Sequence, residues 1–146
     1  MLSLRPKLTQ ACSTVSNAPP IRRALVVDDE ILVAMAVAEH CRSLGMEVEE
    51  CYDSTDALLR VLQDSEISVL LTDVRMPRMS GTELAQRALR SRPDLLVVFL
   101  TGYADPGDEG NFGAWPVLRK PFAFKEIEVA LERAAETRLS RTRGED

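Results

Sequence analysis

Short apolar runs alternate with longer segments of helical periodicity along most of the chain. Nearly continuous apolar runs predict three strands buried on both faces, at 24–27 (ALVV), 67–71 (ISVLL) and 95–100 (LLVVFL). Residues 46–51 alternate between apolar and polar, as in a strand with one wetter face, and 117–118 predict a short last strand. Continuous hydrophobicity is typical of parallel sheets that are covered by helices on both sides.

Apolar side chains repeat every three or four positions between these strands, which predicts helices. The expected inward positions of the first helix are Ile31, Met35, Ala38, Cys41 and Leu44. Further stripes lie at 57–62 and 84–89, and a last helix is predicted over 123–138. Residues 105–114 are rich in Gly and Asp and contain a proline, so any helix there is expected to be short or broken. Strands alternating with helices predict one doubly wound α/β domain.

The two ends of the chain lack this patterning. Residues 1–21 show no sustained periodicity and no apolar centre of a signal peptide, so we predict a flexible leader. The domain is expected to span 22–138, followed by a disordered polar tail at 139–146.

Charge and cysteine usage exclude several functions. The chain has 18 basic and 23 acidic residues and a net charge of −5, and its first 23 residues contain four basic and no acidic side chains. The remainder is therefore strongly acidic, which disfavours nucleic acid as a partner. No apolar run approaches the roughly 20 residues that span a bilayer, so no membrane partner is expected. Three cysteines without a C-x-x-C pair predict reduced thiols in a cytoplasmic protein.

Side chains of complementary chemistry follow four of the predicted strands, where doubly wound folds place their sites. These residues are Asp28-Asp29, Asp73, Thr101-Gly102 and Lys120-Pro121. Two carboxylates about 4 Å apart repel by about 4 kcal/mol at an effective dielectric constant of 20, so the cluster requires positive charge. Lys120 supplies one charge, and all-oxygen ligands favour Mg²⁺ over zinc for the rest.

Such an edge is suited to hold a phosphoryl group. Asp73 is the best-placed nucleophile, because it is central in the sheet and a carboxylate can form an aspartyl phosphate. Asp28 and Asp29 are expected to hold the metal. Thr101 is expected to bond one phosphoryl oxygen and Lys120 to neutralise another, while the glycine after Thr101 leaves room for the group.

These residues resemble the receiver domain of bacterial two-component response regulators. The resemblance rests on the order and spacing of VVDDE at 26–30, TDVRMPRMSG at 72–81, FLTGYAD at 99–105 and LRKPF at 118–122. It implies a flavodoxin-like five-stranded sheet of order 2-1-3-4-5 with an irregular or shortened fourth helix. It also implies a phosphorelay module that, with Mg²⁺, catalyses only its own phosphorylation and dephosphorylation.

The resemblance implies roles for residues around the acidic cluster. Asp73 is implied as the phosphoacceptor, Thr101 as the switch hydroxyl and Lys120 as the lysine that contacts the phosphate. The backbone carbonyl of Arg75 is implied as a further metal ligand, and the peptide bond before Pro121 is implied to be cis.

Two features depart from the family pattern. Val117 stands where the family usually has an aromatic residue, three positions before the lysine. Only 18 residues separate Thr101 from Lys120, so little room is left for a regular fourth helix. The segments FLTGY and PVLRKPF resemble the FAT GUY subgroup, in which Tyr103 would carry the aromatic signal.

The resemblance implies a histidine kinase or phosphotransfer protein as donor and a downstream protein as target, with the chain a monomer or weak dimer. The short tail predicts a stand-alone receiver without a DNA-binding output domain.

Three alternatives share most of these features: a receiver-like interaction domain that is never phosphorylated, a phosphate sink, and the detached receiver of a hybrid kinase. A haloacid-dehalogenase-like phosphatase shares the chemistry but needs D-x-D after the first strand, where Asp28 and Asp29 are adjacent.

Overall fold

A computed structural model describes residues 23–102 and 112–142. Five parallel strands form one sheet in the order β2-β1-β3-β4-β5, and helices cover both faces, as the resemblance implied. The strands are β1 (Arg23–Val27), β2 (Glu47–Cys51), β3 (Ile67–Asp73), β4 (Leu96–Thr101) and β5 (Val117–Arg119). The helices in the described ranges are α1 (Ile31–Ser43), α2 (Ser54–Gln63), α3 (Gly81–Ser91) and α4 (Phe124–Thr142).

The core lies on the two faces of the central strands. Every residue of β4 is buried, and all but one residue of β1 and of β3 are buried, as their continuous hydrophobicity predicted. β2 forms one edge of the sheet and is more exposed, in keeping with its alternating sequence. The carboxyl ends of the buried parallel strands, which carry the polar residues, therefore lie at one edge of the sheet.

Two helices begin at side-chain caps that the sequence contains. The carboxylate of Asp53 accepts a hydrogen bond from the backbone N–H of Thr55 at the start of α2. The hydroxyl of Ser80 accepts one from the N–H of Glu83 at the start of α3. Each cap satisfies a helix N–H that has no partner within the helix. The cap at Ser80 fixes the first turn of α3 next to the end of β3.

The predicted inward face of α1 is partly wrong. Ile31 and Met35 are 53% and 49% exposed, whereas Ala34 and Val37 are buried along with the predicted Ala38 and Cys41. Most residues of α1 are apolar, so a stripe of steps of three or four can be drawn on more than one side of this helix. Small side chains let the helix approach the sheet closely, and the larger ones are left in solvent.

The ends of the predicted elements differ in detail from the structure. The last helix continues to Thr142, past the expected end at Arg138, so 139–142 are helical and not part of the disordered tail that was expected at 139–146. Residues 112–115 form bends and a turn, and the rest of the segment expected to contain a broken or irregular helix, 105–111, lies outside the described residues. The leader at 1–21 also lies outside them. No helix in the described ranges is both long and apolar enough to cross a membrane.

Candidate functional site

The acidic side chains that follow β1 and end β3 meet at the carboxyl edge of the sheet. One carboxylate oxygen from each of Asp28, Asp29 and Asp73 lies within 4.8 Å of the others. Asp28 and Asp73 are buried and Asp29 is exposed, so the cluster opens to solvent on one side. The Nζ atom of Lys120 lies 2.8 Å from Oδ2 of Asp28 and 3.4 Å from Oδ1 of Asp73. The structure thus brings together the four charged residues that the sequence placed at this edge.

The backbone around Asp73 holds its carboxylate in place. The N–H of Val74 donates to Oδ1 of Asp73 at 2.9 Å, and the N–H of Gly81 donates to the carbonyl of Val74 at 2.8 Å. The loop between β3 and α3 therefore folds back beneath the cluster. A side chain at position 81 would overlap the carbonyl oxygen of Asp73, so this close approach requires glycine.

Asp28 is fully buried, and each of its carboxylate oxygens accepts a hydrogen bond. Its Oδ1 accepts from the N–H of Glu30 at 2.9 Å, and its Oδ2 accepts from Lys120. The carboxylate of Glu30 also lies 3.3 Å from Nζ of Lys120. In the sequence Glu30 is simply the acid that follows Asp28 and Asp29, and no local pattern pairs it with Lys120. This contact joins side chains 90 positions apart, so only the fold reveals it.

Burial and mutual repulsion set the electrostatics of the cluster. Burial, followed by the negative charge of Asp28, raises the pKa of Asp73 to about 6, although Lys120 opposes the rise. Burial alone would lower the pKa of Lys120, but its hydrogen bond to Asp28 and the charges of Asp73 and Asp28 raise it above the ordinary value. One ammonium therefore does not neutralise three carboxylates.

The donor set fits a divalent cation. Carboxylate oxygens at this spacing are hard ligands of the type that Mg²⁺ prefers, and no described cysteine or histidine lies in the cluster. Three carboxylates and one ammonium leave an excess of about two negative charges when all are ionised. The open side at Asp29 leaves room for water or phosphoryl oxygens around such an ion.

The remaining predicted site residues surround this cluster. Thr101 is buried at the end of β4, and its carbonyl accepts from the N–H of Lys120 at 2.8 Å, which ties the two strand ends together. A Cβ at Gly102, the residue after Thr101, would meet no described atom within 4 Å, which leaves space at this position. The Lys120–Pro121 peptide bond is cis, as the resemblance implied.

Three other predicted residues have less direct relations to the cluster. Val117 is half-buried and pairs with Phe99 in the sheet, so its side chain belongs to the β4–β5 packing. Arg75 lies on the exposed loop two residues after Asp73, and the role of its carbonyl stays a prediction. Tyr103 lies outside the described residues.

Comparisons with known proteins agree with this geometry. The model of the response regulator receiver domain family matches residues 24–132. The response regulator receiver protein CpdR of Brucella abortus is 32% identical over 117 residues, which cover 77% of this chain and 96% of that protein. The transcriptional regulatory protein CutR of Streptomyces coelicolor is 38% identical, but the match covers 81% of this chain and 55% of that protein. The sensor kinase CckA of Brucella abortus is 29% identical over only 12% of its length.

Solved structures show the same architecture. A receiver domain protein from Clostridium thermocellum superposes with a TM-score of 0.71 at 28% identity and covers 80% of this chain and 95% of its own. A CheY-like receiver domain from Methanospirillum hungatei gives a TM-score of 0.74 at 23% identity, covers 83% and 98% of the two chains, and supports the fold alone. Motifs, sheet order and acidic cluster thus agree with the family match: the chain belongs to the receiver domain family of two-component response regulators, whose members are phosphoacceptor signalling modules.

Proposed function

We propose that this receiver accepts a phosphoryl group on Asp73 from a phosphohistidine donor, with Mg²⁺ held by Asp28, Asp29 and Asp73. One observation carries the assignment: Asp73 is a buried, elevated-pKa carboxylate in contact with Lys120 and within 4.8 Å of two further carboxylates. Groups of this kind cluster where a protein performs chemistry. The backbone carbonyl of Arg75 is proposed as an additional ligand of the ion.

The side chains at this edge have separate roles in phosphoryl transfer. A carboxylate oxygen of Asp73 forms the new O–P bond while the P–N bond to the donor imidazole breaks, and the imidazole nitrogen keeps the electron pair. Lys120 leaves its carboxylate partners to contact one phosphoryl oxygen, and Thr101 donates its hydroxyl to another. Bound Mg²⁺ supplies neutralising charge for the phosphoryl oxygens. Water entering at the open side then hydrolyses the acyl phosphate, so the domain catalyses its own dephosphorylation.

Labelling by a small phosphodonor tests this assignment. The full chain is incubated with phosphoramidate and Mg²⁺, and intact-mass and peptide mass spectrometry locate the added phosphoryl group. We expect Asp73→Ala to abolish labelling, whereas Glu132→Gln, which removes an exposed charge on α4 remote from the cluster, leaves it unchanged. Full labelling of Asp73→Ala would overturn the proposal. Absence of labelling in the wild type would favour a receiver-like domain that is never phosphorylated.

An exposed apolar surface on α1 is the proposed docking face for the donor protein. Ile31, Leu32 and Met35 are 53%, 79% and 49% exposed, and α1 begins three residues after Asp28. Large apolar side chains grouped in solvent mark interaction surfaces. A histidine kinase or phosphotransfer protein seated here would bring its phosphohistidine to the acidic edge.

Transfer kinetics separate docking from chemistry. In Leu32→Glu combined with Met35→Glu, transfer from an autophosphorylated histidine kinase that labels the wild type should slow about tenfold or more, because charge opposes the apolar contact. Labelling by phosphoramidate should stay unchanged. Leu59→Glu on α2 is the matched control, since Leu59 is similarly exposed at 55%. Equal slowing with both donors would place the defect in the pocket and contradict the docking role.

The broader parts of the proposal rest on the family. The phosphorylated domain, which is proposed to begin at residue 22 and which includes the last helix as far as Thr142, is proposed to signal through a downstream protein in the cytoplasm as a monomer or weak dimer. A phosphate sink or the receiver of a hybrid kinase would use the same pocket. The family match gives no support to the haloacid-dehalogenase-like alternative.

A further inference from the structure

A second concave site lies away from the acidic cluster, between α3, the middle of β4 and the turn at 112–115. Its volume is about 440 Å³. The lining residues that matter here are Leu89, Arg90, Phe99, Phe112, Trp115 and Arg141. We call this site the α3 groove. None of these side chains belongs to the proposed phosphorylation site.

Aromatic side chains form the floor of the α3 groove. The rings of Phe99 and Phe112 lie 4.9 Å apart and are tilted by 46°. Phe99 and Trp115 are buried, whereas Phe112 and Leu89 are only partly covered. An apolar side chain that enters the groove would therefore contact aromatic and aliphatic carbon without displacing the core.

Two arginines border this apolar floor, and neither has a carboxylate partner among the described residues. Arg90 is exposed and forms no ion pair with any described residue. The guanidinium of Arg141 lies 5.6 Å from the centroid of Trp115 and likewise has no carboxylate partner within the described ranges. By contrast, Arg87 of the same helix α3 pairs with Glu83 at 2.6 Å. No described carboxylate therefore compensates these two cations beside one groove, in a chain whose net charge is −5.

We propose that the α3 groove binds a short acidic segment of a partner protein, in which carboxylates flank an apolar side chain. The apolar side chain would pack on the partly covered Phe112 and Leu89, above the buried ring of Phe99. The carboxylates would pair with Arg90 and Arg141, whose planar guanidinium groups suit two-point contacts with carboxylates. A second copy of this chain is a poorer fit because both copies would bring the same arginines to the contact. The proposal is independent of phosphorylation and is tested on the unmodified protein.

Fluorescence anisotropy with designed peptides tests the proposal. The probes are labelled 12-residue peptides with two Leu or Phe side chains among four Asp or Glu residues, together with matched peptides carrying Lys instead of the acids. We expect the acidic peptides to bind the full chain with Kd values of about 10–100 μM and the lysine peptides to bind at least tenfold more weakly. Arg90→Gln and Arg141→Gln should each weaken acidic binding about fivefold or more, and Phe112→Ala should weaken it comparably.

Arg133→Gln is the matched control, because Arg133 is an exposed arginine on the same helix as Arg141 but does not line the groove. Circular dichroism confirms that each variant is folded. Binding that is unaffected by Arg90→Gln and Arg141→Gln, or lost equally in Arg133→Gln, would overturn the proposal. So would acidic binding that appears only after Asp105, Asp108 and Glu109 are neutralised, which would assign the groove to the chain itself. Sedimentation that shows a dimer broken by Arg90→Gln would assign it to a second copy.

Discussion

Gly81 lies so close to the main chain of Asp73 that the position accepts no side chain. A Cβ there would overlap the carbonyl oxygen of Asp73 and lie 3.1 Å from Oγ1 of Thr72. Both atoms are buried and belong to β3, so neither can move without shifting the strand that ends at the proposed phosphoacceptor. A methyl group added at this glycine therefore tests how tightly the loop after β3 is held.

We expect Gly81→Ala to lower the free energy of unfolding by roughly 1–3 kcal/mol, as overpacking of a buried site does. The same change should slow labelling of Asp73, because relief of the overlap moves its backbone. Urea unfolding measures the first effect and phosphoramidate labelling the second. Gly102→Ala serves as the stability control, since a Cβ there meets no atom within 4 Å. Equal stability of Gly81→Ala and the wild type would contradict the packing described.

The elevated pKa of Asp73 makes stability depend on pH. Its folded-state pKa of about 6 exceeds the unfolded value of 3.8, so the folded state binds more protons between these pH values. Stability therefore falls as pH rises from about 4 to about 6, and the full penalty of the buried charge is present above pH 6. A neutral side chain at this position would remove that penalty.

Without Mg²⁺, Asp73→Asn should be more stable than the wild type at pH 7.5, by roughly 1–3 kcal/mol. The difference should shrink towards zero as pH falls to about 4, where Asp73 of the wild type is protonated. Urea unfolding at a series of pH values measures it, and Glu132→Gln corrects for the loss of one exposed charge. A stabilisation that does not vary with pH would show that ionisation of Asp73 is not its cause.

At the scale of helices and strands, an element could be predicted from the sequence when its hydrophobic pattern fits only one environment in a fold. The strands could be predicted because a continuous apolar run such as 95–100 fits only a position buried on both faces. Their order placed the acids, Thr101 and Lys120 at one edge, so most of the site could be predicted as well. The inward face of α1 could not be predicted, because α1 has apolar residues on more than one side. Packing against the sheet selected the side with the smaller side chains. The pairing of Glu30 with Lys120 and the α3 groove depend on tertiary positions that no local pattern encodes.

Arg92, the cap residue after α3, joins three elements through backbone carbonyls. Its guanidinium donates to the carbonyls of Val61 at 3.1 Å, Asp64 at 3.3 Å and Ile67 at 2.7 Å. It therefore holds the end of α3 against the end of α2 and the start of β3. The side chain is only 14% exposed, so solvent cannot readily replace these hydrogen bonds.

We expect Arg92→Met to lower the free energy of unfolding by about 2–4 kcal/mol, because it leaves buried acceptors without donors. Phosphoramidate labelling of the folded fraction should persist, since Arg92 lies at the opposite ends of the strands from the acidic cluster. Chemical denaturation measures the loss. Arg90→Met, an exposed position two residues earlier, should change stability by less than about 0.5 kcal/mol. Comparable losses in the two variants would contradict the specific role of Arg92.

At the scale of the whole molecule, the acidic cluster that forms the proposed phosphorylation site also lowers the stability of the folded domain. The fold buries Asp28 and Asp73 next to each other and offers them one ammonium. Such a site is favourable for the folded state only when further positive charge is present. Any cation that binds this cluster and not the unfolded chain must therefore stabilise the entire domain, with no change in the rest of its packing.

Mg²⁺ should accordingly raise the midpoint of thermal unfolding. If its Kd is about 1 mM, 10 mM Mg²⁺ adds about 1.4 kcal/mol by mass action, or roughly 5 °C for a domain of this size. The shift should be largest above pH 6 and should shrink at lower pH, because protonated Asp73 must lose its proton before it binds the ion. Differential scanning fluorimetry at constant ionic strength measures it. Asp29→Asn should lose most of the shift while Glu132→Gln retains it, and an undiminished shift in Asp29→Asn would place the ion outside the acidic cluster.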